Sequence, residues 1–257
     1  MQHQLNINRL MQKKAVSLLE LTIAITLIAL LTAIISAGRN IKHNSNLAAI
    51  MSEVTRIKGA VNGFYSEFQQ LPGDFNNANL SWAGENGNGD GKIAWNNVEK
   101  NYFADLAASY YLSTYNPAHN SLAAFYRTID VFDKANNSFY LVAGDNNADY
   151  LSNAHLPNNT NATRADNYIF YAKIYLNGSN YENFGASLTP NDAYKLDLKY
   201  DDGNPIYGQI ISQNGYNATE NNTNYNDYVI CHISTKYNLN IDYTACRIAF
   251  KLNVGSY

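Results

Sequence analysis

The stretch that decides the fold is Lys13-Lys14-Ala15-Val16-Ser17-Leu18-Leu19-Glu20-Leu21-Thr22-Ile23-Ala24-Ile25. Two lysines meet a long apolar run that carries one acid, Glu20, near its start. From Val16 to Ile35 there is no other charge and no proline. A run of about 20 such residues is long enough to cross a bilayer as a helix. A carboxylate inside such a segment costs roughly 2.5–3.5 kcal/mol on insertion scales, so an intramembrane Glu points to a function. It calls for a partner, and the run holds no basic residue to supply one.

Read together, Lys13-Lys14-Ala15 and Val16-Ser17-Leu18-Leu19-Glu20-Leu21-Thr22-Ile23-Ala24-Ile25 resemble the processing site of type IV prepilins and of type II secretion pseudopilins. The resemblance implies that a prepilin peptidase cuts between Ala15 and Val16 and N-methylates Val16. Glu20 then becomes the fifth mature residue, as in the family. Ala15 stands where the family usually has Gly, and Val16 where it usually has Phe. It also implies an α+β pilin-like fold: a long N-terminal spine helix, with an antiparallel β-sheet head on its C-terminal half. The physical logic is that cleavage frees an α-amino group with which Glu20 can pair, in its own chain or a neighbour's. Pairing removes much of the penalty of a charge held in lipid. The plainer alternative is a signal anchor whose Glu20 is tolerated near the interface.

The chain then divides into residues 1–15 as a basic leader, set aside from the fold, residues 16–35 as a membrane-spanning half-helix, residues 36–70 as its amphipathic half, and residues 71–257 as a globular head. Gly38 is a soft spot in the helix. Beyond it Leu47, Ile50, Met51, Val54, Ile57, Val61, Phe64, Tyr65 and Phe68 recur at spacings of three and four, one face of a helix. Leu71-Pro72-Gly73 ends it. A helix from Val16 to Gln69 would be about 80 Å long at 1.5 Å per residue.

In the head, Asn97 is placed to cap a helix reaching Ser113. Residues 126–132, 138–143, 168–176, 207–211, 228–231 and 247–252 read as strands of an antiparallel sheet. Thr189-Pro190-Asn191-Asp192 opens a helix that Gly203 stops. Residues 144–165 read as a surface loop. Asn86, Asn88 and Asp90, followed by Gly91 and Ile93, match the start of a calcium loop, a tentative metal site. Asn97 stands where that loop needs its bidentate Glu, and a Gly/Asn-rich turn without an ion is the alternative. Asp201 and Asp202 offer a cation or cap a turn. Leu71-Pro72-Gly73-Asp74, the Gly-Asp-Gly turn and the Leu196–Pro205 segment all resemble parts of large pilin-like proteins.

With 46% hydrophobic and 15% charged residues, the composition is globular. Removing Arg9, Lys13 and Lys14 with the leader makes a chain of net charge −3 three charges more negative. That gives no clear nucleic-acid signal. The leader's cations place it in the cytoplasm, with the head across the inner membrane in the periplasm. Cys231 and Cys246, 15 residues apart, suit an oxidising compartment and a disulfide, which the resemblance also implies; two buried thiols are the alternative. No nucleophile elbow, His-Glu-x-x-His or phosphate-cradling loop is present, so no enzymatic function is expected. No cofactor beyond the calcium is expected either.

The expected function is therefore a structural subunit, a minor pilin or pseudopilin, of a type IV pilus or type II secretion pseudopilus. Its implied partners are the prepilin peptidase, sibling pilins in a helical filament, the inner-membrane assembly platform and the membrane itself. The alternatives are an adhesin or DNA-binding pilin and an exported, membrane-anchored enzyme.

Overall fold

The computed structural model describes residues 17–82, 86–91, 93, 102–112, 127–128, 137–144, 166–177, 181–216 and 228–254. Ala15, Val16, Asn97 and the expected loop over 145–165 lie outside them. The chain divides into two units, Met1–Asn46 and Leu47–Tyr257.

Helix α1, Leu18–Phe68, supplies residues to both units. It lies within two residues of the expected bounds. It stops because Gln69 turns left-handed, with φ 55°, and the Gln69 side-chain amide donates to the carbonyls of Tyr65 and Ser66. Carbonyls in the last turn of a helix run out of intrahelical donors, and this side chain helps to cap them.

In the second unit, the α1 residues Leu47, Ile50, Val54, Ile57, Val61 and Phe64 are buried, as the periodicity predicts, and Ala60 joins them. Met51, Tyr65 and Phe68 pack at the edge of the same core. Phe64, Phe68 and Phe75 form a cluster with ring centroids 4.6–5.8 Å apart. Two short helices follow, α2 (Ala78–Trp82) and α3 (Tyr102–Ala108). Helix α3 stops five residues before Ser113. Tyr110 is left-handed at φ 63°, and the Tyr111 and Leu112 amides both donate back to the Leu106 carbonyl at 3.0 Å. That turn aims Tyr111 at α1, where its hydroxyl donates to Glu67 at 2.6 Å. Its ring lies so close to Gly63 that a Cβ there would sit 2.5 Å from Tyr111 Cε1. A glycine in mid-helix costs about 1 kcal/mol; here it makes room for a ring.

The sheet is built from β1 (Arg127–Thr128), β2 (Asn137–Gly144), β3 (Asp166–Asn177), β4 (Tyr181–Gly185), β5 (Ile210–Tyr216) and β6 (Tyr228–Val229), with β9 (Cys246–Lys251) inserted between β3 and β5. A separate hairpin pairs β7 (His232–Ile233) with β8 (Lys236–Tyr237). Strand β3 is the longest. It pairs with all of β2 on one side; on the other its first half pairs with β9 and its second half with β4. The pairing is antiparallel except for one parallel contact, Gly185 opposite Tyr216. Ile169, Phe170, Tyr171 and Ala172 are all buried, which is why both faces of β3 read as apolar.

Three expectations shift. Strand β5 begins at Ile210 rather than Tyr207 and runs on to Tyr216, because β9 holds it from Ile210 opposite Phe250 to Asn214 opposite Cys246. The expected strand at 228–231 breaks before Cys231, where the chain leaves the sheet for the hairpin. Strand β4, short and polar, has no counterpart among the expected strands. Helix α4, Pro190–Tyr200, begins as expected with Thr189 as its cap. It ends at an Asp201 cap, two residues before Gly203.

Candidate functional site

The first unit holds the Glu20 region. Ser17 Oγ accepts the Leu19 N–H at 3.3 Å, and Glu20 Oε2 accepts the Ser17 N–H at 3.3 Å. This is close to a capping box, with the Ser17 hydroxyl on the second N–H of the helix rather than the third. Its Ser-x-x-Glu signature lies within the quoted stretch, where the length of the apolar run is the louder signal. The acid also faces the positive end of the helix dipole. Ser17 is the residue after Val16, so Glu20 already contacts the backbone N–H next to the expected new terminus.

Past this turn, every large apolar side chain from Leu18 to Ile35 is exposed, Leu18 by 81% and Ile28 by 61%. The polar side chains in the run satisfy themselves. Thr22, Thr26 and Thr32 donate to carbonyls three residues back, and Ser36 to one four residues back, at 2.8–3.0 Å. Among the described residues α1 is the helix long and apolar enough to cross a membrane. In lipid such internal hydrogen bonding is a requirement, since no water is available.

The tentative calcium residues sit in a turn organised around a carboxylate. Asp74, almost fully buried, accepts the N–H groups of Gly89 and Asp90 on Oδ1 and of Gly91 on Oδ2, at 2.7–3.1 Å. Successive backbone N–H groups in such a nest suit an anion. Asn86 Oδ1 accepts the Asn79 N–H, Asn88 Oδ1 accepts the Asp90 N–H, and Asn88 Nδ2 donates to Asp90 Oδ2. The turn thus has a structural explanation within the chain. The glycines serve it: a Cβ on Gly87 would lie 2.3 Å from the Asp74 backbone, and Gly89 and Gly91 are left-handed. Burial raises the Asp74 carboxyl above the usual range, against the lowering effect of the three N–H groups.

A second acidic turn follows α4. Asp197, Asp201 and Asp202 bring carboxylate oxygens within 4.8 Å of one another. Each is used locally. Asp201 accepts the N–H groups of Gln209 and Ile210, Asp202 that of Asn204, and Asp197 that of Gly203. This is turn capping, one of the two uses the sequence left open. Asp197 also accepts the Tyr237 hydroxyl at 2.7 Å, and Tyr237 contacts Ser212 Oγ at 2.9 Å. One buried chain therefore ties α4, β5 and β8 together. Burial pushes the Asp197 carboxyl up to about 6, outweighing its hydrogen bonds from Tyr237 and Gly203; Asp202 and Asp201 add to the rise. Burial also raises the Tyr237 phenol, and Asp197 adds to that.

Cys231 and Cys246 form a disulfide, with Cα atoms 4.8 Å apart. It joins the hairpin to the start of β9, and the Cys231 N–H donates to Asn214 on β5 at 2.8 Å. Closing a loop of this length stabilises a fold by about 3 kcal/mol in the chain-entropy model. His232 beside it is lowered by burial, against a raising contact with the Ser234 carbonyl.

No protein-family model matches the chain, and neither does a curated protein or a solved structure.

Proposed function

We propose that this chain is a structural subunit, a minor pilin or pseudopilin, of a type IV pilus or type II secretion pseudopilus. It is made with a leader that prepilin peptidase removes between Ala15 and Val16, with methylation of Val16. It waits in the bacterial inner membrane with its head in the periplasm, then joins a helical filament through the assembly platform. The observation that carries this reading is the first turn of α1. An acid opens an exposed apolar helix and reaches the N–H adjacent to the cleavage site.

The mechanism follows from that geometry. Before cleavage, Glu20 caps its own helix. After cleavage, Val16 carries the new amine one residue before Ser17, and Glu20 of its own chain or of another copy is the acid that pairs with it. Stacked apolar helices replace lipid contacts with protein contacts, which changes little energy by itself. Between stacked apolar helices, away from water, the Glu20–amine pair is worth much more than at a wet membrane face, so it fixes the register in which helices stack. Such a heterologous contact propagates as an open helix.

Glu20→Gln keeps the size and capping capacity of the side chain but removes its charge. It should stay in the membrane fraction and be cleaved, while its recovery in sheared filaments falls at least tenfold. Unchanged recovery would contradict the pairing role.

A further inference from the structure

We infer that Arg39 and Lys42 dock on anionic phospholipid headgroups of the outer leaflet and hold α1 at a fixed depth. This rests on the membrane reading above and specifies what the helix meets where it leaves the bilayer. Glu20 and Arg39 are nineteen residues apart on one helix, and no charged residue lies between them. At 1.5 Å per residue that is about 28 Å. The hydrocarbon core of a bilayer is about 30 Å thick. The two charges therefore fall at its two faces. Glu20 sits at the cytoplasmic boundary beside the helix start, and Arg39 at the opposite one.

Arg39, Lys42 and His43 share one face of α1 by their spacing of three and four. Arg39 and Lys42 are exposed, and His43 is partly so. The polar stretch that carries them, Ser36 to Asn46, ends where the second unit begins at Leu47. It contains no acid, so its net charge is positive. A guanidinium and an ammonium presented together at headgroup depth match phosphate diesters in charge and hydrogen-bonding capacity. Long basic side chains at the end of an apolar run also reach the interface easily. The apolar run sets how far the helix can sink, and the cations set where it stops.

The test uses the full-length protein in vesicles with Ile41→Trp as a reporter, since Ile41 is exposed and lies between the two cations in sequence, at the same depth along the helix. The signal of Trp82 and Trp95 is subtracted with the unsubstituted protein. Quenching is compared between brominated phosphatidylglycerol and brominated phosphatidylcholine. A preference for phosphatidylglycerol of about fivefold or more is expected, on the order of fivefold per cation. Arg39→Gln with Lys42→Gln should bring the ratio to about one. Equal quenching by both lipids with the cations present would overturn the proposal, and so would a preference that survives in the double variant. A double variant that keeps the preference but is lost from filaments would assign the cations to a neighbouring subunit instead. No quenching of the Ile41→Trp reporter by either lipid would overturn the membrane reading itself, and the docking with it.

Discussion

Two stretches of α1 share a helix and an apolar vocabulary but not a fate. From Leu18 to Ile35 the apolar residues run on every side and all the large ones are exposed. From Leu47 to Phe68 they recur on one face and that face is buried. The difference is one of both hydrophobicity and pattern. A one-sided stripe is what a chain can cover with its own head, whereas a helix apolar all round needs a solvent or neighbours of its own kind. Leaving that area in water would be costly at about 25 cal/mol per Å².

The sharpest way to break this contrast is to truncate one side chain in each stretch. Phe64→Ala removes a fully buried ring at the centre of the aromatic cluster and should cost the head about 3–5 kcal/mol. Ile28→Ala should leave the head's denaturant midpoint unchanged, because the side chain is not part of the head's core. Equal losses in detergent-solubilised protein would mean that the first stretch also belongs to the core.

Two of the three glycines of α1 sharpen it further. Gly63→Ala drives a methyl into the Tyr111 ring. It should destabilise the head by about 1–2 kcal/mol despite its better helix propensity, and adding Tyr111→Ala should remove the clash. Gly38→Ala meets nothing within 4 Å and should stabilise the helix by about 0.5–1 kcal/mol. Thermal melts followed by circular dichroism read both. A loss at Gly38 would reveal a neighbour or a bend that depends on this glycine.

A last comparison separates the units by pH. Asp197 sits at about 6 when folded, against about 3.9 for an unfolded Asp. The folded state holds the proton more tightly, so this group favours folding at low pH, and its contribution is lost as pH rises from about 4 to about 6. Asp197→Asn should flatten that part of the head's stability profile. A wild-type profile already flat there would contradict the burial that raises the Asp197 carboxyl. Helicity of the first unit should not follow this titration.

Much of the fold is legible in the sequence where one physical signal dominates. The apolar run, the three-and-four stripe and the Thr189-Pro190 start read within two residues, because burial and capping leave patterns local to the helix. Strand β3 is legible for its aromatic and β-branched content. The strand expected at 207–211 is displaced because its register is set by β9, far away in sequence. Strand β4 has few residues of high β propensity, and one parallel contact and β3 place it. The early end of α3 depends on where Tyr111 lands on α1. At the Gly/Asn turn the sequence shows oxygen donors at calcium spacing. It does not show that the backbone there points its N–H groups at Asp74. At Glu20 the acid is legible as an anomaly, and the structure adds that it first serves as half of a capping box.

The central claim is that Glu20 awaits an amine made by cleavage beside it, and intact mass measurement of the protein purified from membranes of a host with prepilin peptidase tests this most directly. The account predicts a chain that begins at Val16 and carries one added methyl group. A chain that still begins at Met1 would contradict it.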